Sequence, residues 1–121
     1  MDIFIPAPGA SLPGAVLPDA SITPVNDDGT LNHADIALKR AYINISPYGG
    51  IELGHQIMCI QAVLGGTWYS FRDVTDPEAT VKVLVRPVDI NGGAYTVVSY
   101  KVTRADGSDV GHSGERYYDV T

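Results

Sequence analysis

The stretch Gly92-Gly93-Ala94-Tyr95-Thr96-Val97-Val98-Ser99-Tyr100-Lys101-Val102-Thr103-Arg104 decides the fold class. A glycine pair marks a turn, and a long alternating run follows it. Val98, Tyr100 and Val102 fall on one face; Ser99, Lys101 and Thr103 fall on the other. A strand with one apolar and one polar face packs on a core from one side and meets water on the other.

Working outward, the same signal recurs. Ala41 to Ser46 alternates with Ile43 and Ile45 inward, and Pro47-Tyr48-Gly49-Gly50 ends it. His55 to Val63 is an unusually apolar run and reads as a central strand buried on both sides. Gly65-Gly66 turns the chain into Thr67 to Val74, the signature of a hairpin. Thr80 to Arg86 places Val81, Val83 and Val85 inward. Ala105-Asp106-Gly107-Ser108 carries the Asp-Gly step favoured in hairpin turns, and Ser113 to Val120 supplies a last strand. Between Leu31 and Leu38 one short helical turn is expected, with Asn32 as its cap. The predicted core is Ile43, Ile45, Ile57, Cys59, Val81, Val83, Val85, Val98, Tyr100 and Val102. About seven short strands with regular turn spacing read as an all-β antiparallel sandwich.

The beginning of the chain differs. Five of the eight prolines (Pro6, Pro8, Pro13, Pro18 and Pro24) lie before residue 25. Prolines this dense exclude helix and central strand, so residues 1–30 read as a Pro-rich arm or linker and residues 31–121 as the domain. Ile3, Phe4, Ile5, Leu12, Val16 and Leu17 are too apolar for a pure linker. The arm is therefore expected to cover an edge strand or dock on another subunit, which makes a homodimer through the arm or an edge strand a candidate assembly.

Composition narrows the function classes. The 121 residues suit one domain with a core of its own, and apolar residues make up 45% of them. Net charge is −6 at pH 7, with eight Lys and Arg against fourteen Asp and Glu. Such a balance disfavours nucleic acid and anionic lipid as partners. No apolar run is long enough for a membrane helix. The N-terminus has neither a basic region nor a continuous apolar stretch, so no cleavable signal peptide is read. Placement at the cell surface or outside the cell would need a larger chain or a signal-independent route.

Residues 31–121 resemble the bacterial immunoglobulin-like repeats of large, often tandem, surface-associated proteins. The likeness rests on Ala41-Tyr42-Ile43-Asn44-Ile45, on Tyr48-Gly49-Gly50-Ile51-Glu52-Leu53-Gly54-His55-Gln56-Ile57, on Gly66-Thr67-Trp68, and on Val98-Ser99-Tyr100-Lys101-Val102 before Asp106-Gly107-Ser108. The resemblance implies an immunoglobulin-like β-sandwich and a spacer or adhesive role. It brings no catalytic residues.

The residues themselves point the same way. His33, His55 and His112 are dispersed and no nucleophile elbow is present, so no triad is read and a small hydrolase is the least favoured class. Cys59 is the single cysteine, and its apolar run Ile57-Met58-Cys59-Ile60 reads as the setting of a buried, inert thiol. Of the acidic groupings none has EF-hand spacing. Asp106 and Asp109 are the weak calcium candidates, set against the plainer reading that Asp starts turns by bonding its own backbone. No cofactor is expected. Trp68 and Tyr69 are adjacent in one strand, so one faces the core and the other solvent. With Tyr48, Tyr95, Tyr117 and Tyr118 they form the candidate binding residues for a protein or glycan partner, since aromatic rings anchor interfaces and stack on sugars. The leading expectation is a non-catalytic binding or structural module acting in adhesion or protein interaction. A small lectin-like protein is the alternative.

Overall fold

A computed structural model describes residues 15–87 and 94–121. The chain runs β1 (Ala15–Leu17), β2 (Ser21–Thr23), α1 (His33–Ala37), β3 (Tyr42–Ile45), β4 (Gln56–Val63), β5 (Gly66–Asp73), β6 (Val81–Leu84), β7 (Tyr95–Thr103), β8 (Asp109–Ser113) and β9 (Arg116–Asp119). Almost everything regular is strand, as alternation predicts. The strands form two sheets. One has the order β1-β8-β7-β4-β5, with β9 also pairing β7; the other has the order β2-β3-β6. All pairings within the sheets are antiparallel except β1 with β8.

Local chemistry explains the connections. Val63 pairs with Gly66, so Leu64-Gly65 forms a two-residue loop in which Gly65 takes φ 91°. That conformation is open to glycine at little cost. At the β7–β8 turn the Arg104 N–H donates to the Ser108 carbonyl, and the Gly107 N–H donates to the Arg104 carbonyl. Helix α1 starts where the Asn32 side chain accepts from the Ala34 N–H at 2.9 Å, the cap its sequence suggested.

Both sheets contribute inward side chains to one core. Nine of the ten predicted core residues are buried; Val81, at the start of an edge strand, is only partly so. Strand β4 is central, but its burial is one-sided. Ile57, Cys59 and Gln61 are buried, whereas Met58, Ile60 and Ala62 on the opposite face are half-buried. Ser113 to Val120 is interrupted at Gly114-Glu115, giving β8 and β9 in place of one strand.

Residues 15–17 and 21–23 belong to the sheets. β1 lies along β8, the chain then crosses to the other sheet, and β2 pairs with β3. Two tyrosine hydroxyls hold this crossing. Tyr100 donates to the Pro18 carbonyl at 2.6 Å, and Tyr118 accepts the buried Ile22 N–H at 2.9 Å. Leu31 then joins the last strand, its N–H donating to the Asp119 carbonyl and its carbonyl accepting from the Thr121 N–H. Residues 1–14, with Ile3, Phe4, Ile5 and Leu12 of the expected arm, lie outside the described residues, as does Gly92-Gly93.

Candidate functional site

Register decides which outward side chains meet. Residues directly opposite each other in neighbouring strands share a face. Met58 lies opposite Phe71 on one side and Lys101 on the other; Ile60 lies opposite Tyr69 and Ser99. Val97 lies between Ala62 and Tyr117. The outer face of the six-stranded sheet is therefore an apolar and aromatic surface. Tyr69, Phe71 and Tyr117 are 55%, 54% and 58% exposed, and Met58, Ile60, Val97 and Tyr95 are half-buried between them. Tyr95 and Tyr117 stack with ring centroids 5.5 Å apart and planes 12° from parallel. The Tyr117 hydroxyl donates to Asp119 Oδ1 at 2.8 Å, which also raises its pKa because ionisation would break that bond beside a carboxylate. Lys101 pairs with Asp109 at 3.3 Å.

The predicted binding residues thus divide. Tyr69, Tyr95 and Tyr117 share the outer face. Trp68 lies on the inner side of β5, opposite buried Gln61, and is half-buried. Tyr48 is buried against the core, its ring stacked on His55 and its hydroxyl 3.1 Å from His55 Nδ1. Tyr118 is also buried, with the Arg116 guanidinium over its ring and its oxygen committed to Ile22. Neither Tyr48 nor Tyr118 offers a free ring face. Phe71, Met58, Ile60 and Val97 belong to the surface although the aromatic pattern did not point to them; the signal that finds them is the outward parity of β4, β5 and β7.

Asp106 accepts from both the N–H and the hydroxyl of Ser108, and the hydroxyl bond in particular lowers its pKa. Asp109 faces Lys101. Among the described residues no three His, Cys, Asp or Glu side chains gather as a metal-binding group. Burial pushes the Cys59 thiol up to about 11, so it stays protonated near neutral pH. Among the described residues no Ser or Cys side chain hydrogen-bonds a His. Ser113 accepts from the Tyr100 N–H and donates to the Gly114 carbonyl. No helix among the described residues is long and apolar enough to cross a membrane.

The chain matches no family model, and comparisons with curated proteins and with solved structures return no match.

Proposed function

We propose that the protein is a non-catalytic, immunoglobulin-like module of a bacterial surface or envelope protein. In this reading it acts in adhesion or protein interaction through the outer face of its larger sheet. The observation that carries the proposal is the continuous exposed surface of Tyr69, Phe71 and Tyr117 over Met58, Ile60 and Val97. Aromatic rings mixed with Met and aliphatic side chains are the composition of protein-interface cores, and an exposed apolar surface of this kind on an acidic domain marks a place of association. The strand order supports the immunoglobulin-like part. β3 and β6 stand where the second and fifth strands of that fold pair, and β5, β4, β7 and β8 follow the order of its other sheet. The bacterial surface setting comes from the resemblance of residues 31–121.

A second reading, a small lectin, is favoured by one local feature. The exposed Tyr117 ring carries a carboxylate, Asp119, beside it on the same face. A ring stacks on a sugar face while a carboxylate accepts from its hydroxyls. One experiment separates the two. The domain and its Tyr69→Ala/Tyr117→Ala variant are applied to arrays of bacterial and host surface proteins and of glycans. Saturable protein binding that the variant loses, with its melting temperature kept, supports the adhesive module. A signal confined to glycans moves the reading to a lectin. Equal binding by parent and variant removes the face from either role.

A further inference from the structure

Both sheets end on the same side of the molecule, and the space between their edges is not filled. Strand β5 closes the larger sheet and β6 the smaller one. Between them, floored by α1, lies a groove of about 370 Å³, a volume within the range of ligand sites. Its apolar lining includes the accessible Ala37, Leu84 and Pro87 beside the buried core residues Ile36, Val83 and Val85.

Its charge opposes that of the chain. Lys39, Arg72 and Arg86 line the groove, which is three of the eight Lys and Arg residues, and none of the fourteen Asp and Glu residues does. Among the described residues none of these three cations forms an ion pair, whereas Lys101 does. The Arg86 backbone is held in place at the groove. The Gln61 amide donates to the Arg86 carbonyl at 3.1 Å and accepts from its N–H at 2.8 Å.

The edges differ in how they are sealed. In an antiparallel pair, alternate residues turn their backbone groups toward the partner strand. On β2 the outward group is the Ile22 N–H, and Tyr118 accepts it. On β5 the Val74 N–H bonds the His55 carbonyl, so parity turns the Phe71 carbonyl to the open side; there Arg72 donates to it at 2.9 Å. On β6 the Val85 N–H bonds the Ala41 carbonyl, which makes Val83 and Val85 the residues facing β3. Lys82 and Leu84 therefore turn their N–H and C=O groups away from β3, and among the described residues no side chain caps them.

We propose that this groove binds an extended acidic peptide segment of a partner protein, added as a strand to the open edge of β6. Its backbone pairs with Lys82 and Leu84. Its apolar side chains lie on the accessible Ala37, Leu84 and Pro87, and its carboxylates meet Lys39, Arg72 and Arg86. Strand addition draws affinity from main-chain bonds and specificity from alternate side chains. The site is separate from the outer face of the larger sheet.

The test uses the peptide acetyl-Glu-Val-Glu-Val-Glu-Val-amide, followed by amide NMR of the whole chain. In the free protein the Lys82 and Leu84 amides exchange rapidly with solvent. Saturating peptide slows them and shifts signals of β6 and α1. Affinity falls about tenfold or more in the Lys39→Glu/Arg86→Glu variant, a loss of about 1.4 kcal/mol, and falls as steeply for a peptide with Gln in place of Glu or with alternate amides N-methylated. The Tyr69→Ala/Tyr117→Ala variant binds the peptide as the parent does. The proposal is overturned if Leu84 is already protected in the free protein, which would mean that the chain covers its own edge. Equal binding of the Gln peptide or the N-methylated peptide also overturns it, as does an absence of shifts up to roughly 1 mM peptide.

Discussion

Val98 and Val97 are neighbours in β7 whose fates should differ sharply on truncation. Val98 is 0% exposed and sits between Gln61 of β4 and Arg116 of β9 on the inner face. Val98→Ala removes two methyl groups. At about 0.8 kcal/mol for each buried carbon the transfer loss is about 1.6 kcal/mol, and the residual cavity raises it to about 2–3 kcal/mol. Val97 points to the half-buried outer face, where side chains can settle and water can enter, so Val97→Ala should cost about 0.5–1 kcal/mol. Unfolding entropy near 2.1 cal/mol/K per residue gives about 0.25 kcal/mol/K for this chain of 121 residues. The expected drops in Tm are therefore about 8–12 °C for Val98→Ala and about 2–4 °C for Val97→Ala. Scanning calorimetry measures both, and urea titration checks that the m-value is unchanged. Equal losses, or a larger loss at Val97, would refute the assignment of faces in β7 and with it the register on which the outer surface rests.

Three further outcomes are expected. Gln61→Leu leaves the Arg86 N–H and carbonyl without their partner and should destabilise by about 1–2 kcal/mol in urea titration; an unchanged midpoint would show that water replaces the amide fully. Tyr118→Phe orphans the buried Ile22 N–H and should cost about 1–3 kcal/mol while speeding exchange of that amide, which NMR reads directly. Burial raises Cys59 from 9.0 to about 11 and Tyr100 from 10.0 to about 12. The unfolded chain then releases these protons first as pH rises, so stability is full below pH 9 and declines from there through pH 12. Melting curves across that range should show the fall, and native Cys59 should resist iodoacetamide at pH 8 until urea is added; rapid native alkylation would contradict its burial.

How far the sequence reached can be traced through particular residues. Alternation in Val98 to Thr103, Ile43 to Ile45 and Val83 to Val85 assigned inward and outward faces, because successive side chains of a strand must point to opposite sides. Turn chemistry placed Gly65, Asp106-Gly107 and the Asn32 cap, since each is settled by a few adjacent residues. Both are local properties, and they were enough for an all-β chain and its core. The candidate surface was not local. Tyr69, Phe71, Tyr95 and Tyr117 meet only through the pairings of β5 with β4, β4 with β7 and β7 with β9. Tyr118 shows the same limit from the other side. Its sequence suits an exposed aromatic, yet its hydroxyl accepts an N–H 96 residues away and its ring is buried there. Parity along a strand is written in the strand itself. Strand order, and hence which edges stay open and which side chains gather, depends on contacts between distant residues, and only the tertiary structure decides it.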